Sequence, residues 1–279
     1  MLITRFAPSP TGELHLGHAA SALFAYQAAQ KAGGRFILRI EDIDPLRCKP
    51  EFIELIYEDL HWLGLSWSKP VLQQSMHMER YGSALKFLRE EGLLYPCFCT
   101  RKEVLSEANQ ASHAPHHETE GPLYSGTCRT LTAAQRAALS ETRDPVWRLD
   151  MARACEHVEA LRWYDHQHGE IKANPTRFGD VVLARKDVAA SYHLCVTLDD
   201  AYQEVNLVTR GQDLMPFTDI HVLLQKLLSL PQPDYHHHKL LCDKNGNRFA
   251  KRDKAVTLRH LRQNGHSPEE IKAYVMKHL

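Results

Sequence analysis

The chain has 279 residues, and its 34 basic side chains match its 34 acidic ones, so no overall field draws it to nucleic acid or to an anionic surface. That length suffices for one large α/β core plus a modest appendage. Seven cysteines, an odd number at irregular spacing, argue against a disulfide framework; with no signal peptide and no apolar run of about 18 residues, a reduced, cytoplasmic protein without membrane contact is expected.

Leu2 to Ala7 reads as a buried strand. Pro8, Pro10 and Gly12 then impose a rigid turn, and Leu16 to Ala32 is an Ala/Leu-rich helical stretch stopped by Gly33-Gly34. A helix beginning at His15-Leu-Gly-His18 presents unpaired backbone N–H groups and the positive end of its macrodipole, which suits a phosphate. His15 and His18 add donors, and Gly17 lets a flat ring approach the backbone. Arg35 to Ile40 is a second strand that delivers Glu41-Asp42-Ile43-Asp44 at its C-terminal end, the edge where ligands of open α/β sheets gather. Glu51 to Leu63 and Met76 to Glu91 follow as amphipathic helices. Alternating strands and helices predict a mostly parallel sheet.

From Tyr95 to about Pro145 the pattern breaks into a segment rich in Cys, His, Gly, Thr and Ser, with one short helix near Ala133 to Leu139. Cys97-Phe-Cys99 followed by Tyr124-Ser-Gly-Thr-Cys128 is an arrangement that closes a tetrahedral structural zinc site, cross-linking a segment with little apolar surface. On the residues alone one of the loop histidines His113, His116 and His117 is favoured as the fourth ligand over Tyr124, since a tyrosinate is an unusual zinc ligand, and three buried reduced cysteines without metal are the alternative. Further strand candidates are Trp147 to Leu149, Gly179 to Arg185, Tyr192 to Leu198 and Val205 to Arg210, before a helix from about Phe217 to Leu228. A turn at Asn245-Gly246 leads into Arg248-Phe-Ala-Lys-Arg252, a loop whose cations can neutralise charge on a leaving pyrophosphate. Two short helices end the chain, the last opened by the capping box Ser267-Pro-Glu-Glu270.

The run from Arg5 to His18 resembles the HIGH signature of class I aminoacyl-tRNA synthetases, in the RFAPSPTG-x-LHLGH form of the glutamyl subgroup. Arg248 to Arg252 resembles the KMSKS element of that class, with Lys251 at the second lysine, Arg248 in place of the first, and Ala250 in place of the serine. Ser191 to Asp200 and Leu207 to Asp213 resemble glutamyl-tRNA synthetase segments carrying a glutamate-binding Tyr and Arg, whereas Leu214 to His221 departs from the usual S-T-P-R-Q. The Cys-x-Cys…Tyr-x-x-x-Cys pattern of zinc-bearing members points to Cys97, Cys99, Tyr124 and Cys128 as ligands of one structural Zn2+.

The resemblance implies an α/β fold: a Rossmann-type parallel sheet with a zinc-bearing insertion and a small C-terminal helical segment. Residues 1–94 and 191–232 would be the two halves of the catalytic domain. Residues 95–145 would be the zinc-binding insertion and 146–190 the remainder of a connective, acceptor-binding-like insertion. Residues 233–279 would hold the KMSKS-like loop and C-terminal helices. L-Glutamate would sit against Arg5, Phe6, Ala7, Pro8, Ser9, Glu41, Tyr192 and Arg210; ATP, with Mg2+, against His15, Gly17, His18, Arg248, Lys251 and Arg252. His15, His18 and Lys251 would carry the catalysis. Few residues follow Arg252, which leaves no room for a helical anticodon-binding domain. In this the chain resembles the stand-alone family that attaches glutamate to the queuosine base of tRNA(Asp). A monomer is expected. The alternatives are a shortened glutamyl-tRNA synthetase charging the tRNA 3′ end, and a silent paralogue that only binds tRNA.

Overall fold

Ile3–Phe6 (β1) and Arg35–Ile40 (β2) pair in parallel, connected by the sixteen-residue helix Leu16–Lys31 (α1), in a computed structural model that describes residues 1–110, 123–186, 189–241 and 256–279. Alanines dominate the buried side of α1, which lets it approach β1 closely; Thr4 on β1 donates its hydroxyl to the Ala25 carbonyl at 2.8 Å. Helix Pro50–Trp62 (α2) then returns the chain to Ser68–Gln73 (β3), parallel to β2. Helix Met78–Glu90 (α3) leads out of this half.

The second half of the main sheet comes from distant segments. Arg162–Asp165 (β6) and Gly169–Lys172 (β7) form an antiparallel hairpin, and Leu207–Gly211 (β9) and Asp234–His238 (β10) complete the order β7-β6-β10-β9. Pairing is parallel between β10 and both of its neighbours. The two sheets meet where Asn206 donates its backbone N–H to the Ile3 carbonyl and its side-chain oxygen accepts from Ile3 N at 2.8 Å. Strand order therefore runs outward in opposite senses from β1 and from β9.

Between the halves lies a small antiparallel sheet of Leu94–Cys97 (β4), Val146–Leu149 (β5) and Val182–Ala184 (β8). Helices Arg101–Gln110 (α4), Ala133–Ser140 (α5) and Met151–Glu156 (α6) accompany it. Tyr192–Tyr202 (α7) and Thr218–Leu227 (α8) pack under the second half, and Leu258–Gln263 (α9) and Pro268–His278 (α10) close the chain. The Ser267 capping box is formed as read from the sequence.

The parallel sheet is present, with two corrections around it. Tyr192 to Leu198 is helix, not strand: Ser191 caps it, and its apolar run is continuous because the helix is buried on nearly all sides. The segment after Tyr95 holds α4 as well as the expected short helix. Among the described residues no helix is long and apolar enough to cross a membrane.

Candidate active site

In an open α/β sheet the crevice at the point where strand order reverses is the place for a ligand. Here that point lies between β1 and β9, and a cavity of about 1140 Å³ opens there. Its walls include Arg5, Phe6, Ala7, Pro8 and Ser9 from the end of β1, and Glu41 from the end of β2. His15, Gly17 and His18 enter from the start of α1, with Tyr192 from α7 and Arg210 from β9. The prolines act through their carbonyls: Pro8 O accepts from Glu41 N and Pro10 O from Lys49 N, both at 3.0 Å, tying the turn after β1 to the end of β2 and to the start of α2. Arg248, Lys251 and Arg252 lie outside the described residues, as do Cys242, the Asn245-Gly246 turn and the loop histidines His113, His116 and His117.

The helix start differs in detail from the open N-terminus expected. His15 Nδ1 accepts from Gly17 N, and His18 Nδ1 accepts from His15 N, each at 3.1 Å, so the imidazoles themselves cap α1. Both rings thus use Nδ1 as acceptor, which puts the proton of each neutral ring on Nε2. The ring centroids are 3.8 Å apart. The helix end thereby presents imidazole N–H donors where phosphate oxygens would be received.

Beneath the cavity floor is an ionic cluster that the sequence did not reveal. Arg39 has no exposed surface and donates to Asp200 at 2.8 Å, Gln203 at 3.0 Å and Glu41 at 3.2 Å. Arg5 donates from Nε to Asp200 at 3.0 Å and from Nη1 to the Thr209 carbonyl at 3.0 Å. Asp199 receives Gln74, Arg80 and Tyr81. Burial works against the Arg39 charge, yet Asp200, Glu41 and Asp199 outweigh it and raise its pKa. Burial likewise pushes the Glu41 carboxyl above its ordinary value, against the pull of Arg39 and Arg5. Asp200 goes the other way: its burial is overcome by the two guanidiniums, which hold it low.

Arg210 is set differently. It is buried and donates to His237 Nε2 at 3.1 Å, His221 Nδ1 at 3.1 Å and Thr218 Oγ1 at 2.7 Å, all neutral acceptors. His237 in turn holds Asp165 through Nδ1 at 2.7 Å. Burial, then Arg210, pushes His237 down to about 3, Asp165 offsetting only part of it, and the same two causes push His193 down to about 4.

The insertion gathers its thiols as its spacing predicts. Cys97, Cys99 and Cys128 place their sulfurs within 4.8 Å of one another, and Tyr124 Oη lies 3.3 Å from Cys97 Sγ and 3.6 Å from Cys99 Sγ. Cys99 and Cys128 sulfurs are 3.5 Å apart, close to the roughly 3.8 Å edge of a tetrahedron with 2.3 Å zinc–sulfur bonds. This donor set fits such an ion. Tyr124 also lines the cavity, with the Arg148 guanidinium 3.9 Å from its ring centre. Behind them Asp180 receives Tyr95 Oη, Arg129 at 2.6 Å and Met151 N at 2.9 Å, joining the insertion to the cavity wall.

A doubly flanked parallel sheet, a histidine-bearing helix start at its switch point and a thiol-holding insertion define the catalytic fold of a class I synthetase. The family description "tRNA synthetases class I (E and Q), catalytic domain" matches residues 1–278. The chain belongs to this family. It is 45% identical over 277 residues to the Glutamyl-Q tRNA(Asp) synthetase of Rhodobacter capsulatus, covering 98% of this chain and 99% of that one. The Glutamate--tRNA ligase of Aquifex aeolicus is 36% identical over 274 residues, covering 98% of this chain but 56% of the ligase. Among solved structures, the glutamate-tRNA synthetase of Elizabethkingia anophelis superposes with a TM-score of 0.80 at 26% identity; 98% of this chain spans 61% of that one.

Proposed function

We propose that the chain activates L-glutamate with ATP and transfers the glutamyl group to the queuosine base in the anticodon loop of tRNA(Asp). The observation that carries this reading is the convergence of Arg210, Glu41 and the two α1 histidines on one cavity, in a chain that aligns end to end with a Glutamyl-Q tRNA(Asp) synthetase. In the first step a glutamate carboxylate oxygen attacks the α-phosphorus of ATP and pyrophosphate leaves. In the second, a hydroxyl oxygen of the queuosine diol attacks the anhydride carbonyl; AMP leaves and the hydroxyl proton is lost.

Arg210 and Arg5 serve the substrate carboxylates, Glu41 the ammonium, and Ser9 and Tyr192 supply hydroxyls. Phe6, Ala7 and Pro8 shape the adjoining wall, and Gly17 admits the adenine ring. His15 and His18 offer Nε2 protons to phosphate oxygens, and Arg248, Lys251 and Arg252 act on the ATP phosphates, with Mg2+ as counter-ion. Cys97, Cys99, Tyr124 and Cys128 would hold one Zn2+, which supplies structure. Burial pushes the Tyr124 phenol up, so a bound cation would be needed to draw off its proton. The acting species is taken to be a monomer.

ATP–pyrophosphate exchange with glutamate, measured without tRNA, tests activation. Lys251→Ala is expected to slow it about a hundredfold, or about 3 kcal/mol, as for loss of one electrostatic stabiliser. Nuclease mapping of labelled glutamate tests the acceptor: label in the anticodon loop of queuosine-bearing tRNA(Asp) is expected. Label at the 3′ end of tRNA(Glu) at comparable efficiency would replace this reading with 3′-end charging.

A further inference from the structure

We infer that His221, braced by His193, is a positioning residue that holds the Arg210 guanidinium for a substrate carboxylate; this rests on the glutamate reading above. Two buried arginines approach the cavity, and their charges are handled in opposite ways. Arg5 is matched by Asp200 and joined through it to Arg39, within a cluster that also contains Asp199 and Glu41. Arg210 makes no ion pair among the described residues. A buried cation surrounded by neutral acceptors is costly until an anion reaches it, so of the two arginines Arg210 has the greater call on an incoming carboxylate, Arg5 already sharing Asp200.

The neighbours of Arg210 also fix its orientation. A guanidinium can only donate, so His221 Nδ1 must be an acceptor, and the neutral His221 ring must carry its proton on Nε2. That nitrogen lies 3.1 Å from His193 Nδ1, which therefore accepts. Thr218 and His237 take two more Arg210 N–H groups. Three of the five N–H groups are thus spent on holding the plane, which leaves one on each terminal nitrogen for a ligand. His193 lines the cavity, whereas His221 is buried behind Arg210. Among the described residues the hydrogen-bond and ring partners of their imidazoles are Arg210, Tyr192, Phe217 and each other, not the histidines at the start of α1, so their effect should fall on glutamate.

Exchange kinetics of the full chain, with glutamate and ATP varied separately, test this. His221→Leu removes the acceptor and is expected to raise the glutamate KM about tenfold or more, with the ATP KM within about twofold. His221→Asn keeps an acceptor where Nδ1 stands and is expected to recover the glutamate KM to within about threefold of the unaltered chain. His221→Gln places its acceptor near the Nε2 position instead and should behave like His221→Leu. The Asn and Gln variants are both polar, so their contrast decides the matter even if His221→Leu fails to fold. Asn no better than Gln, or a parallel rise in both KM values, overturns the positioning role alone. An unaltered chain with no glutamate-dependent exchange overturns the glutamate reading, and the positioning role with it.

Discussion

Around α1 the interior is apolar: Phe6, Leu14, Leu23, Leu38, Ile40, Ile56 and Leu60 pack against the helix's alanines. In the insertion the buried cluster is Tyr95, Cys97, Phe98, Val104, Tyr124 and Cys128, four of the six being thiol or phenol. The first region buries many more apolar side chains than the second, which concentrates its donors at one point. Where polar groups are buried, the regions differ again. The main sheet hides a balanced ionic cluster around Arg39; the insertion meets its surroundings at one buried carboxylate, Asp180, among the described residues, with Asp144–Lys186 a further pair at the surface. Apolar order tolerates a lost contact gradually, while order held at one point fails locally when that point is removed.

The largest effect should come from the main sheet. Arg39→Leu leaves Asp200, Asp199 and Glu41 buried with too little positive charge, and is expected to cost about 3–5 kcal/mol of global stability by urea unfolding. A cost near zero would mean the cluster contributes nothing over apolar packing. Cys128→Ser should act locally. It is expected to release one equivalent of zinc by metal analysis and to lower protection of residues 95–145 by about 1–3 kcal/mol in hydrogen exchange, with β1 and β2 unchanged. Loss of protection throughout the chain would erase the distinction between the regions.

The smallest effect sharpens the rule for buried charge. Asp59 on α2 is fully buried, and neither carboxylate oxygen has a hydrogen-bond partner; burial pushes its pKa from 3.8 to about 6, with Arg262 opposing. The folded chain thus keeps this proton to higher pH than the unfolded chain. The associated stability is full below pH 3.8 and is lost as pH rises through about 6. Asp59→Asn is expected to raise Tm by roughly 2–4 °C at pH 8, about 1 kcal/mol, and by less at pH 5. An equal gain at both pH values would show that ionisation is not the source.

Sequence and structure agree best where the signal is local. The α1 helix, β2 and the Ser267 cap are written in contiguous residues with clear periodicity or capping chemistry. Helix α7 was misleading because Leu194 to Leu198 is buried all round, between α3 and α8, and shows no helical period. Strand β10 reads Asp-Tyr-His-His-His, without apolar alternation, and is held by two parallel neighbours and by His237 on Asp165. The motif residues lining the cavity could be named because each motif is continuous. Arg39, Asp200, His221 and His237 could not: Arg39 meets Asp200 across 161 positions and Arg5 meets it across 195, so only the fold makes them partners.

The sharing of Asp200 between Arg5 and Arg39 has an evolutionary corollary. Any one member of the cluster can be replaced only by stranding another charge, so single-step variants cross a deep fitness valley. Joint replacements, charge with countercharge, avoid it. Strong epistasis is therefore expected here, and the cluster should drift as a block or not at all, while the apolar positions around it exchange one at a time.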